Sequence, residues 1–198
     1  MSGMRASLVT ILGLVLLSGC GSVLGTKTPP DTYALTGTPA VEGRASPRRQ
    51  ILIAEPIALK ALDSEQIVIK PTPSSIQYLA DSQWSDRLPK IVQAKLIQAF
   101  ENSGRVGGVG RPGEGLAIDY QISTSIRSFE VRVQGGNTAV VEISAKVIND
   151  RNGTVRDQQV FRSTSPVRGS SNEAYVEALD RAFDNLTTDL VRWTLHRF

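Results

Sequence analysis

The segment 116–128 has the cleanest alternation of apolar and polar residues in the chain, and no other stretch restricts the fold as tightly. Leu116, Ile118, Tyr120, Ile122, Thr124 and Ile126 share one side; Asp119, Gln121, Ser123, Ser125 and Arg127 share the other. Successive side chains of a strand point to opposite faces, so the pattern predicts a half-buried strand over 116–128. The apolar phase then moves to Phe129, Val131 and Val133, which predicts a bulge near Arg127–Ser128. Gly135-Gly136-Asn137 turns the chain into a second strand with Val141, Ile143, Ala145 and Val147 inward. Asn152-Gly153 is a hairpin turn into a third strand, roughly 154–164. A three-stranded antiparallel meander follows.

Two helices complete the pattern. Pro89 suits a first helical turn, where no N–H is needed. Leu88, Ile91, Val92, Leu96, Ala99 and Phe100 recur at three- and four-residue spacing, and Asn102-Ser103-Gly104 ends the run. Ser170-Ser171-Asn172-Glu173 fits a capping box before a helix whose apolar face is Tyr175, Leu179, Ala182, Phe183, Leu186, Leu190 and Trp193. Shorter strands are expected at 51–58, 67–70 and 75–79, with a turn-rich cap region over Asp81–Asp86. The expected fold is therefore α+β: an antiparallel or mixed sheet of about six or seven strands, with two long amphipathic helices packed on one face.

The N-terminus reads as an address. Arg5 precedes an apolar run of twelve residues, Ala6 to Leu17. A membrane-spanning helix needs about 20, so the run reads as the apolar core of a signal peptide. Leu17-Ser18-Gly19-Cys20 is a bacterial lipobox, and its thiol is the single cysteine of the 198 residues. The expected processing removes residues 1–19 and acylates Cys20. With Gly21 rather than Asp next, the expected destination is the outer membrane, facing the periplasm. Residues 20–50, rich in Gly, Pro, Thr and Ser, read as the lipidated Cys and a tether with a short strand at 33–35. Residues 51–198 read as one periplasmic domain.

Catalytic chemistry has little to work with. One cysteine excludes a disulfide framework and a Cys-based zinc site, and one histidine, His196, excludes HExxH. A net charge of +3 is no nucleic-acid footprint. Gly108-Val109-Gly110-Arg111-Pro112-Gly113 is a literal G-x-G-x-x-G, but a helix precedes it and a strand follows, the reverse of a dinucleotide site. It reads as a helix-to-strand loop. His196 reads as a helix-dipole partner, and Asp81, Asp86, Asp119 and Glu142 as solvated carboxylates. No catalytic, cofactor-binding or metal-ligating residue is expected. Tyr78 and Trp84 are the aromatic candidates for a partner or lipid contact; for Trp84 the competing reading is core packing at the helix start.

The lipobox at Cys20, Tyr33-x-Leu35, the extended segment to Tyr78, Trp84-x-x-x-Leu88-Pro89 and Phe100-Glu101-Asn102-Ser103-Gly104 together resemble the ABC-type transport auxiliary lipoproteins, the PqiC-like lipoproteins of intermembrane transport systems. The resemblance covers nearly the whole chain after Cys20; the Gly-rich 107–115 segment departs from it. It implies a non-catalytic subunit that works beside an MCE-domain protein and an inner-membrane ABC permease and ATPase. Such systems move phospholipid or other hydrophobic molecules between membranes. It also implies membrane attachment through acylated Cys20, no cofactor, no nucleic acid, and admits a homo-oligomer. An independent periplasmic lipid carrier and a structural lipoprotein of envelope assembly are the alternative readings.

Overall fold

The computed structural model describes residues 28–37 and 39–198. Five strands come first: β1 (Asp31–Tyr33), β2 (Ser46–Ile53), β3 (Ile57–Ala58), β4 (Gln66–Lys70) and β5 (Gln77–Trp84). Helix α1 (Leu88–Ser103) follows, then β6 (Val106–Gly110), β7 (Tyr120–Arg132), β8 (Thr138–Asn149), β9 (Val155–Pro166) and helix α2 (Asn172–Leu195). All nine strands join one mixed sheet, so the class is α+β as expected, with more strands than six or seven.

Strand β7 is the axis of this sheet. One edge pairs with β8 from Tyr120–Asn149 to Arg132–Thr138, and β9 continues the antiparallel meander. The other edge is shared by three parallel strands laid end to end. β2 pairs with Tyr120–Ile122, β3 with Ser125 and Ile126, and β4 with Glu130–Arg132. A strand of 13 residues is long enough to host three short partners, which is why the count exceeds the periodicity reading. The register slips between Ile126 and Ser128, the bulge that the phase change predicts. The bulge lets Ile126 and Phe129 both point inward although they are three residues apart.

Several segments differ from their expected structure. The strand expected at 51–58 breaks into β2, which already starts at Ser46 within the expected tether, and β3. The short strand expected at 33–35 lies at Asp31–Tyr33. The strand expected from 116 starts at Tyr120, leaving Leu116 43% exposed. Asp81–Asp86 is not a cap region up to Trp84, because β5 runs on to Trp84 beside β1, with Tyr33 opposite Trp84. Asp81 takes φ 50°, a local kink that lets the strand continue. The first part of the Gly-rich segment, up to Gly110, forms β6, parallel to β2, and residues 111–115 form the loop expected before the next strand. A bulge in β2 sets four residue steps, Ser46 to Gln50, against two in β6, Val106 to Gly108. It drives the Pro47 carbonyl into the space a Cβ of residue 107 would occupy. Only glycine permits that approach. Gly107→Ala is expected to cost about 1–3 kcal/mol in urea unfolding. Gly108→Ala, whose new Cβ would meet the Gln50 side chain at an ordinary 3.6 Å, serves as the near-neutral control.

Helix α1 begins with Pro89 in its first turn and ends on Gly104, which takes the left-handed φ of 59° and donates its N–H to Glu101 O at 3.0 Å. Its inward residues pack on β2 and β6, and Gln93 donates from Nε2 to Ile53 O at 2.9 Å. Helix α2 covers β7, β8 and β9. Its N-cap is Ser171, which accepts from Ala174 N–H at 3.3 Å. The N-cap is therefore one residue later than the capping box expected from Ser170 to Glu173, and the Glu173 carboxylate stays at the helix start, bonded to its own backbone N–H and to Ser171. Leu179, Ala182, Phe183, Leu186, Leu190 and Trp193 are all buried, as the helical spacing predicts.

Candidate functional site

Cys20 lies outside the described residues. Trp84 corrects the reading of it as a partner or lipid contact: it is 1% exposed. Its ring meets Phe129 edge-on at 5.8 Å, and Phe129 meets Phe183 at 5.7 Å, so β5, β7 and α2 are joined through one aromatic chain. Tyr78 is 42% exposed on β5, opposite Val68 of β4. The two aromatics that the sequence groups together are thus separated by burial, and only Tyr78 offers a surface.

The carboxylates are dispersed. Asp119 pairs with Arg49 at 3.2 Å and Arg151 at 3.5 Å. Glu142 pairs with Arg127 and Arg162, and Asp86 with Lys90. His196 is the C-cap of α2. Among the described residues no group of three or more His, Cys, Asp or Glu side chains is placed to hold a metal ion. None of the described helices is long and apolar enough to cross a membrane.

What the sequence did not disclose is how the segment before β2 is fixed. Instead of hanging free to residue 50, it runs along α2 from one end to the other. The Tyr33 hydroxyl donates to Glu173 Oε1 at 3.1 Å. Thr36 donates from its backbone N–H to Asp180 Oδ1 at 2.9 Å and from its hydroxyl to Asp180 Oδ2. Gly37 lies against Asp184, Leu35 and Val41 are buried in the core, and Gly43 lies against Leu195. From the other side Lys95 of α1 donates to Thr36 O at 3.4 Å. Glu173, Asp180 and Asp184 stand seven and four residues apart, two successive whole-turn spacings, so one acidic row of α2 receives the segment. That row beside an apolar stripe was the available signal.

The row carries its own electrostatics. Hydrogen bonds from its own backbone N–H, then from Ser171 and Tyr33, hold the Glu173 carboxyl below the usual range. Burial, then the bond to Glu173, raises the Tyr33 phenol. Burial, and after it the negative charge of Asp180, raises the Asp184 carboxyl. Asp184 Oδ1 is shut from solvent with no hydrogen-bond partner. A carboxyl raised on folding binds its proton more tightly in the native state than in the unfolded chain. It therefore opposes stability above its native pKa, and the penalty fades as pH falls through that value toward the unfolded one. Asp184→Asn is expected to raise Tm at pH 7 by a few degrees, about 1 kcal/mol or less for a partly solvated group. The gain should shrink on acidification in thermal melts across the acidic range.

The fold and sequence have relatives. A crystal structure of protein XCC0632 from Xanthomonas campestris superposes with TM-score 0.73 at 28% identity, over 84% of this chain and 96% of that one. A crystal structure of an uncharacterized protein superposes at 0.67 with 13% identity, over 82% and 97%. The hypothetical protein CT253 of Chlamydia trachomatis superposes at 0.53 with 6% identity, over 76% and 97%. These last two share the fold alone. In sequence, an uncharacterized protein of Bradyrhizobium diazoefficiens is 29% identical over 184 residues, 91% of this chain. The chain spans about half of that relative, 49% of its length. The model of the ABC-type transport auxiliary lipoprotein component family matches residues 33–191. Those bounds run from the strand that opens the sheet to the last turns of α2, and this chain belongs to that family.

Proposed function

We propose that this chain is the outer-membrane-anchored, non-catalytic subunit of an MCE-type ABC transport system. The system would move phospholipid or another hydrophobic cargo between the two membranes. The observation that carries the reading is the family match over residues 33–191, most of the folded body. In the proposed arrangement acylated Cys20 holds the domain at the outer membrane facing the periplasm. A surface of the domain docks the MCE-domain protein, whose inner-membrane permease and ATPase supply the energy.

The pinned N-terminal segment supports a tethered role. Only seven residues separate Cys20 from Thr28, and the chain is held to α2 from Tyr33 onward. Seven residues allow at most about 28 Å between Cys20 and Thr28, so an acyl anchor would keep the domain at the bilayer rather than free to cross the periplasm. Such a short leash suits a docking platform better than a shuttle.

The test is affinity purification of C-terminally tagged protein from crosslinked, gently solubilised envelopes, read by mass spectrometry for proteins and lipids. Recovery of an MCE-domain protein with its permease is the expected result. Lipid with no transport component would favour an independent carrier, and outer-membrane or cell-wall assembly proteins alone would favour a structural lipoprotein. Either would overturn the proposal.

A further inference from the structure

The end of the sheet at which the N-terminal chain arrives has a composition unlike the rest of the surface. β1 runs parallel to β5, with Asp31 beside Ser82, so the preceding chain approaches from the end where β5 begins. Pro29 and Pro30 restrict their own φ and bias Thr28 and Pro29 toward extended backbone, which continues that direction. At this same end β4 finishes at Lys70 and β7 at Arg132, which are neighbours in register. β8 begins there at Thr138, and β9 finishes at Pro166 opposite it.

The three connecting segments at this end, 70–78, 131–141 and 163–172, carry Lys70, Arg132 and Arg168 and not one Asp or Glu. Glu130, one step inside, pairs with both Arg132 at 2.8 Å and Lys70 at 3.9 Å and holds these two cations in place. A cleft of about 310 Å³ opens between them, lined by Lys70, Thr72, Pro73, Arg132 and Gln134. Beside it Ile76 and Tyr78, two residues apart and so on one side of the chain, are 48% and 42% exposed. The exposed carboxylates are set back from this end: Asp81 lies four residues into β5, Asp31 beside Ser82, and Glu173, in the first turn of α2, is bonded to Tyr33 opposite Trp84.

We infer that this end seats on the surface of an anionic phospholipid bilayer. Ile76 and Tyr78 enter the headgroup layer, and Lys70, Arg132 and Arg168 face lipid phosphates. The inference rests on the reading of Cys20 as the acylated residue. Tyrosine suits the boundary because its ring is apolar and its hydroxyl stays wet. Length agrees with charge: β8, with 12 residues, is about 40 Å long. The leash from Cys20 to Thr28 reaches at most about 28 Å, less than the strand it would need to pass to seat the opposite end. The β8–β9 turn at Asn152 then points away from the bilayer.

The experiment uses the full acylated protein in vesicles of phosphatidylethanolamine and phosphatidylglycerol with brominated acyl chains. Fluorescent labels are placed singly through Ile76→Cys, Gln134→Cys or Asn152→Cys. Quenching several-fold stronger at 76 and 134 than at 152 is expected; equal quenching, or the strongest at 152, overturns the inference. Lys70→Gln with Arg168→Gln keeps the Arg132–Glu130 pair. This double variant should lower the ratio of seated to unseated protein by about 25-fold, since each of the two cations near an anionic surface contributes roughly fivefold. Quenching that ignores these substitutions and the phosphatidylglycerol content would also overturn it. The mass of the recovered protein reports acylation separately. An unmodified Cys20 identifies a failed anchor, and an acylated protein without the quenching pattern identifies a failed orientation.

Discussion

Cys20→Ser is expected to abolish incorporation of labelled palmitate and to remove the protein from the outer-membrane fraction. The chain has no other thiol to modify. Each acyl CH₂ buried in the bilayer contributes about 0.8 kcal/mol, so two or three chains hold a protein in place where the domain surface alone would not. Loss of the thioether therefore acts as an all-or-none change in location rather than a graded one. The hydrophobic core is built from Leu35 onward, so its stability should be unaffected. Thermal melts of the wild-type and serine domains should coincide. A serine variant that remained in the outer membrane and supported transport would remove the anchor from the proposed function.

Trp84→Ala has the largest expected effect on stability. The ring is 1% exposed and packs edge-on against Phe129, which in turn touches Phe183 of α2. Truncating a buried aromatic side chain costs about 3–5 kcal/mol, the sum of lost transfer energy and the cavity that remains. For a domain of this size each kcal/mol lowers Tm by about 2–4 °C, so a fall on the order of 10 °C is expected. Trp84→Phe keeps the edge-to-face contact and should lose much less. Tyr78→Ala, at a 42% exposed position, should leave Tm within a degree or two. A Trp84→Ala protein with unchanged Tm would mean that β5 is not joined to the core through this ring.

The two aromatics show how far a one-dimensional reading reaches. Tyr78 and Trp84 both belong to β5, six residues apart, and nothing local separates them. Even spacing along a strand would place them on one face, yet Tyr78 is exposed and Trp84 is buried against Phe129 of β7. The kink at Asp81 lies between them, and a lone positive φ in an unremarkable residue leaves no periodic signature. The turn-rich composition of Asp81–Asp86 suggested a break for the same reason. A short polar run satisfies a cap and a strand equally well, and pairing with β1 decided for the strand.

The sequence by itself determined the elements whose signal repeats within one segment. The β7–β8–β9 meander and its bulge, both amphipathic helices, the α+β class and the resemblance that the family match bears out all belong there. Each rests on a period of two or of 3.6 residues, sustained long enough to outweigh local accidents. Only the tertiary structure decided that β7 shares one edge among three short strands, and that glycines 107 and 108 form a strand. It also decided that Tyr33, Thr36, Gly37 and Gly43 lie along α2. Those features come from pairs far apart in the chain: Pro47 against Gly107, and Thr36 against Asp180 across 144 residues. A contact between distant segments writes no period into either one, because the burial, hydrogen bonds and charges that stabilise it exist only once the segments have met.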